Sequence, residues 1–431
     1  MYSVFYKMRI VTKEGLAELI SLTLQNELKQ GKIEISGLEV TPLSHRGAKS
    51  ANLKITDIEY HTERPMNLPS IVAVKIYGND YRPEYRVEKE VLELSKSGEL
   101  EIGYDNTIVR VFPKPYFWIP EWDENLAIVR EYINGDERTL DQIADERHSQ
   151  RQKLSWDDVR FAVRQIALLH LKSPWIINKV LRLPKLDLKN ATRNFIGGIN
   201  ALYMAINNRE LPKNLERKFS TKFSNIAEKY FFREGYENWV VCGDLSIIPY
   251  HITNNILFDA GSVRKGPVME DLAFYAYPGF SDIGELPKIG ELAINEYLTN
   301  LGVFRELIPT SFELKESLDD LLASWGVGVL RGVLRVSNPI LKYQFVCKGE
   351  EDIEMRRRKL ENYLQGYLQT SFEALRFLKQ HTEDSNFSDL EELFKQVGFE
   401  NFKIKHLNPP RKPQIQVKEN EVNLESKLSI S

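Results

Sequence analysis

Between residues 12 and 30, Leu16, Leu19, Ile20, Leu24 and Leu28 recur three and four apart, with Thr12 standing before them as a cap. This spacing predicts an amphipathic helix. From about Lys32 the period changes. KIEISGLEVTPL, ANLKITDIEY and SIVAVKIYG are β-rich runs broken by turn residues, RPEYRVEKEVLELSK predicts a short helix, and NTIVRVFPKPYFW and ENLAIVREYI predict further strands. Residues 32–134 thus read as a mainly antiparallel sheet carrying one helix. NGDERTL reads as a linker. Beyond it Ser155 and Asp158 resemble a capping box, and Val159, Ala162, Val163, Ile166 and Ala167 form a helical stripe that reaches His170. Helices continue over 188–232, a compact β-rich patch interrupts them near 240–271, and helices resume through about residue 380. SDLEELFKQVGF predicts one more short helix ending at Gly398. Residues 408–431 are polar and rich in Pro, Lys and Glu, and read as a disordered tail. No internal repeat stands out.

The order suggests four parts: an N-terminal helix over 1–31, a β-rich lobe over 32–135 with a hinge near 131–135, a helical lobe over 136–380, and a short helix with a tail over 381–431. A chain of 431 residues is long enough for one large two-lobed unit. With 42% hydrophobic and 28% charged residues it has the balance of a globular protein, not of a disordered or membrane-embedded one. The 58 basic and 61 acidic residues leave a net charge of -3, which gives no general pull toward nucleic acid or an anionic membrane. Two cysteines, Cys242 and Cys347, cannot build a disulfide framework or a four-cysteine zinc site. The opening residues lack the apolar run of a signal peptide, and no stretch approaches the roughly 20 apolar residues of a membrane span. A cytoplasmic location is the expectation.

Lys75 ends VAVK on a predicted strand, and Glu88 and Glu90 lie on the helix after it. A strand lysine held by a helix glutamate can fix an ammonium against nucleotide phosphates. Glu88 is the better partner, being one helical turn before Val91 and Leu92. A solvated lysine on a strand edge is the plainer reading of Lys75 taken alone. The turn LSHRGAKSANLKI, with Gly47, Lys49 and Ser50, joins two strands and is rich in backbone donors of the kind that lie over phosphates. It also reads as an ordinary hairpin turn. Glu131, Tyr132 and Ile133 end a strand at the expected interdomain connection.

The segment richest in chemistry is Cys242-Gly243-Asp244-Leu245, then Asn255-Ile256-Leu257-Phe258-Asp259, then Met269-Glu270-Asp271. An acidic residue after Gly on a short loop can accept a proton from a hydroxyl, and a downstream Asn and Asp can hold Mg²⁺ through oxygen ligands. NILFD and GPVMED read as two short strands with AGSVRK as the turn between them, which would bring Asn255 and Asp271 to one metal. Turn carboxylate, turn amide and helix cap are the plainer readings of Asp244, Asn255 and Asp271. Other chemistries lack their patterns: there is no G-x-x-x-x-G-K-[ST], no G-x-S-x-G and no H-E-x-x-H, and the seven histidines are scattered. Trp156, Trp175 and Trp325 read as core. The arginines of RGVLRV and EMRRRKLENY read as solvated helix faces.

Across about residues 32–380 the chain resembles the aminoglycoside phosphotransferase and choline kinase-like family, relatives of protein kinases. The likeness is carried most specifically by GDL…NILFD…ED over 243–271. It implies an α+β, bilobal protein-kinase-like fold, with a small antiparallel β N-lobe bearing one helix and a larger, mainly helical C-lobe. Lys75 matches the family's ATP lysine and Glu88 its helix glutamate. Gly47 and Ser50 fall in the turn over the phosphates, and Glu131–Ile133 match the hinge that pairs with adenine. Asp244 falls on the catalytic Asp, Asn255 on the metal Asn and Asp271 on the second metal ligand. IALLH, ending at His170, looks like the family's helix behind the catalytic loop, which implies a core histidine, and Asp282-Ile283 looks like a further family motif. The sequence departs from the pattern in three places. Cys242 stands where the family has His, Pro249 stands where its Asn is usually found, and Leu272-Ala273 follow Asp271. A competing alignment makes Asp259 the metal ligand with His251 beside it; it is disfavoured because Mg²⁺ prefers oxygen ligands to imidazole. The implied activity is ATP- and Mg²⁺-dependent transfer of the γ-phosphate to a hydroxyl of a small molecule, without nucleic acid or membrane. Glu285, Glu291 and Glu296 could face a cationic acceptor, although ordinary helix-surface acids describe them as well. The alternative is a catalytically silent kinase-like nucleotide-binding protein, and the third a scaffold that joins an assembly through its tail.

Overall fold

The computed structural model describes residues 9–11, 13–28, 32–42, 50–62, 68–77, 81–104, 107–122, 125–132, 160–243, 257, 260–276, 286–308, 314–344, 347, 352–409 and 415–417. By its contacts the chain forms two compact units. One comprises residues 1–96, 113–134 and 412–431; the other comprises 97–112 and 135–411.

In the first unit, β2 (Ile33–Pro42), β3 (Ser50–Thr62), β4 (Val72–Tyr77), β7 (Pro115–Trp122) and β8 (Asn125–Glu131) build a five-stranded sheet in the order β2-β3-β4-β8-β7. Every neighbouring pair in it is antiparallel. Side chains alternate across a strand, so Val72, Val74 and Ile76 of β4 share one face. That face joins Leu53, Ile55, Ala127 and Val129 in one apolar cluster with Leu16, Leu19, Ile20 and Leu24 of α1 (Lys13–Leu28). The expected N-terminal helix is therefore part of the sheet's core, and its 3.6-residue stripe is what the sheet buries. The residues in between, Ala73, Lys75 and Tyr77, lie on the opposite face with Arg130 across from Ala73. The helix α2 (Arg82–Lys96) lies against β7 and β8. All six residues of β4 are buried as a result. A short parallel pair joins β1 (Arg9–Val11) to β11 (Ile415–Val417), so the segment read as a wholly disordered tail returns to pair with the chain's beginning.

The second unit is mainly helical. Its helices are α3 (Phe161–Leu171), α4 (Ser173–Lys179), α5 (Leu188–Asn207), α6 (Lys213–Ile226), α7 (Met269–Leu272), α8 (Leu286–Leu307), α9 (Leu318–Tyr343), α10 (Ile353–His381) and α11 (Ser385–Gln396). Helix α9 is central: it packs on α5 and α10, and its N-terminus is closed by a capping box between Ser317 and Asp320. At Gly198 an added Cβ would lie 1.8 Å from the Leu334 carbonyl oxygen, so α5 and α9 meet backbone to backbone. The hairpin β5 (Glu101–Tyr104) and β6 (Thr107–Arg110), expected in the β-rich lobe, belongs to this unit. Tyr104 sets its ring edge-on to Phe304 of α8 and receives the Arg164 guanidinium of α3 over its face. Likewise α11, expected outside the helical lobe, packs on α6 through Phe219 and Phe394. A small antiparallel sheet with its helix and a larger helical part are thus both present, as the fold class required.

Candidate active site

Lys75 and Glu88 are brought together. The Lys75 Nζ donates to Glu88 Oε2 at 2.8 Å, with the two side chains 5% and 0% exposed. The Tyr77 hydroxyl donates to the same oxygen, and Arg130 lies 3.8 Å from Glu88 Oε1. Glu88 reaches Lys75 because the amphipathic α2 turns Tyr85, Val87, Glu88, Val91 and Leu92 inward. An ammonium kept out of water in this way needs a carboxylate, and losing either partner of such a pair costs about 3–5 kcal/mol. The pair therefore has a reason to be there beyond surface solvation. Glu90 is only half-buried.

Of the other residues expected to meet a nucleotide, Ser50, Glu131 and Tyr132 are described. Ser50 opens β3 opposite Tyr77, and Glu131 closes β8 opposite Val72. The Glu131 N–H already donates to the Lys114 carbonyl at 2.9 Å, and its carboxylate accepts the Lys114 N–H at 2.7 Å. Of the hinge, then, the Glu131 N–H is committed to the protein. Tyr132 lies under the Lys54 ammonium, 4.6 Å from its ring centre. Gly47, Ile133, Asp244, Asn255, Asp259, His251 and Asp282 lie outside the described residues.

Asp271 sits where the sequence did not place it. Where the turn AGSVRK and the strand GPVMED are expected, the structure has a 3-10 turn over Ala260–Ser262, a two-residue strand β10 (Arg264–Lys265) and the single helical turn α7. β10 pairs with β9 (Val240–Val241), just before Cys242-Gly243; of NILFD only Leu257 is described. Asp271 is fully buried on α7. Its Oδ2 accepts the Cys242 N–H at 2.7 Å and its Oδ1 the Gly243 N–H at 3.0 Å. His170 Nε2 lies 3.3 Å from Oδ2, and His170 Nδ1 lies 2.9 Å from the Tyr297 hydroxyl. A carboxylate can only accept, so the network assigns the proton to Nε2 and makes Nδ1 the acceptor from Tyr297. His170 is 0% exposed, a core histidine as expected. Burial, with the Asp271 charge added to it, pushes the Tyr297 hydroxyl well above its ordinary value, so it stays a donor. With each oxygen accepting a backbone N–H in a fully buried position, Asp271 anchors the Cys242-Gly243 backbone. Among the described residues no three His, Cys, Asp or Glu side chains are grouped to hold a metal.

The sequence reading missed three residues beside this anchor. Arg264 donates through Nη2 to the Gly243 carbonyl at 3.0 Å and to Glu270 Oε1 at 2.6 Å. Glu270 in turn receives Arg331 of α9, and both are 0% exposed. Arg331, expected on a solvated face in RGVLRV, is thus fully buried. Its signal was a single charge inside the otherwise apolar WGVGVLRGVL, which calls for a buried partner. Trp325, by contrast, is core as expected, with its indole N–H donating to the Leu272 carbonyl at 3.0 Å.

No family model and no curated protein matches the chain. Solved structures do. An ethanolamine kinase from Plasmodium vivax is similar at 10% identity and a TM-score of 0.41, covering 80% of this chain and 83% of that one. A thermostable mutant of the aminoglycoside phosphotransferase APH(4)-Ia is similar at 8% identity and a TM-score of 0.33, covering 84% and 100%. The amicoumacin kinase hAmiN, in complex with AMP-PNP, Ca²⁺ and Ami, is similar at 11% identity and a TM-score of 0.33, covering 86% and 90%. Similarity at this level leaves the functional reading to the residues themselves.

Proposed function

We propose that the chain is an ATP-dependent phosphotransferase acting on a hydroxyl of a small molecule. The observation that carries this reading is the buried Lys75–Glu88 pair between the sheet and α2. A buried lysine fixed by a carboxylate is a point charge set in advance, and it suits the oxygens of a nucleotide's phosphates. In this reading Lys75 orients phosphate, Glu88 and Tyr77 hold Lys75, and Asp244 takes the proton of the acceptor hydroxyl. Asp271 and His170 hold the peptide that leads into Asp244. ATP supplies the transferable phosphoryl group. Mg²⁺ is expected with it, but Asp271 is not assigned to hold it. Catalysis would come mainly from positioning and charge neutralisation.

A second reading, nucleotide binding without transfer, is favoured by the commitment of Asp271 to backbone N–H groups and by Pro249 in the loop. Both readings require nucleotide binding. ATP with Mg²⁺ should raise the melting temperature of the protein, since a ligand at 100 times its Kd stabilises by about 2.7 kcal/mol. Lys75→Ala should lower the stability without ligand by about 3 kcal/mol and abolish the shift. No shift of the wild type at millimolar ATP would sink both readings. A panel of hydroxyl-bearing small molecules in an ADP-release assay separates them, because only the first predicts turnover.

A further inference from the structure

Gly243 is held at both of its backbone polar groups, and these belong to the two successive peptide units on either side of its Cα. Its N–H goes to Asp271, and its carbonyl goes to Arg264. Gly243 has φ +79°, and a Cβ there would come within 2.8 Å of the Arg264 guanidinium, so only glycine lets the arginine this close. Arg264 is not a loose surface side chain. Its side chain is 18% exposed, and Glu270 Oε1 fixes it at 2.6 Å while Arg331 donates to that same oxygen. A peptide unit is planar, so a donor holding its oxygen orients the whole unit, including the bond that enters residue 244. Asp271 holds the N–H groups of the two preceding units, and Arg264 holds the oxygen of the unit that follows.

We infer that Arg264 is a positioning residue, holding the Gly243 carbonyl so that Asp244 meets the acceptor hydroxyl in the geometry needed for phosphoryl transfer. This rests on the phosphotransferase reading. Arg264 touches neither nucleotide nor acceptor in this account; it acts through the peptide. Misplacing a reacting group by about 1 Å can cost on the order of 10²-fold in rate. Nucleotide affinity, set by Lys75, should not follow.

The test uses the full chain and two variants. Arg264→Met removes the donor and leaves Glu270 paired with Arg331. Arg264→Lys keeps the charge but replaces the planar fork with a point donor. Native-state amide exchange of the peptide spanning residues 240–244 is measured beside kcat and KM for ATP. The expected result for Arg264→Met is exchange faster by about tenfold, kcat lower by about 10²-fold and KM for ATP within twofold of wild type. Arg264→Lys should fall between, with kcat down by about tenfold, and it carries the same readouts if Arg264→Met does not fold. Unchanged exchange in the variants overturns the clamp whatever the activity. Faster exchange with unchanged kcat, or a fall in kcat matched by an equal rise in KM for ATP, overturns the positioning role. Faster exchange in a protein whose wild type transfers no phosphate overturns the phosphotransferase reading, and the positioning role with it, while leaving the hydrogen bonds themselves in place.

Discussion

Glu270 is removed from water and yet faces three guanidinium groups. Burial pushes its carboxyl up, but Arg264, Arg331 and Arg335 together outweigh burial and hold it below the ordinary 4.5. A carboxylate whose folded value is depressed contributes stability that is present above its unfolded value and is lost as pH falls through the folded one. The window is therefore acidic, below about pH 4.5. Denaturant midpoints measured from pH 7 down to pH 3 should fall for the wild type in that window. Glu270→Gln should be less stable at pH 7 and should lose less on acidification, so that the two curves approach each other. Parallel curves would mean that Glu270 does not carry the acid dependence. The same residue shows why Arg331 is tolerated in the middle of a buried helix: Glu270 supplies its counter-charge, and removing Glu270 would strand the arginine.

At the level of elements, periodicity made some features legible and hid others. The strand VAVK and the helix after it are long enough for their spacing to be read, and both faces of β4 being buried follows from α1 on one side and α2 on the other. Residues 260–276 gave no such purchase. A 3-10 turn, a two-residue strand and a single helical turn each contain too few residues for alternation or a 3.6-residue period to show. GPVMED therefore reads as a strand in the sequence, where the structure has the helical turn α7. The contact between α5 and α9 was also hidden, because only the packed structure shows Gly198 against the Leu334 carbonyl. Gly198→Ala places a methyl group on that oxygen, and neither helix backbone can move aside cheaply. The substitution should cost about 1–3 kcal/mol as an overpacked contact despite alanine's better helix propensity. A chemical denaturation curve equal to or better than wild type would show that the two helices are not in backbone contact.

At the scale of the whole molecule, each unit brings one half of the proposed chemistry. The sheet unit holds the buried ammonium, and the helical unit holds the loop that leads to Asp244. The order of the motifs is what suggests this division, whereas the unit boundaries show only in the packed structure. The hairpin over 101–110 joined the helices through Tyr104 and Phe304, contacts that no local pattern announces. The central claim is that this protein transfers phosphate through Asp244. A carboxylate that accepts the acceptor's proton acts on the transition state and leaves nucleotide affinity alone. The most direct measurement is ADP release by the wild type and by Asp244→Asn, with an acceptor found in the small-molecule panel, beside ATP affinity measured on the same samples. The account predicts equal affinity for ATP and a turnover lower by about 10²–10⁴-fold in Asp244→Asn. A wild type that binds ATP but turns over no acceptor, or a variant that turns over as fast as the wild type, would contradict it.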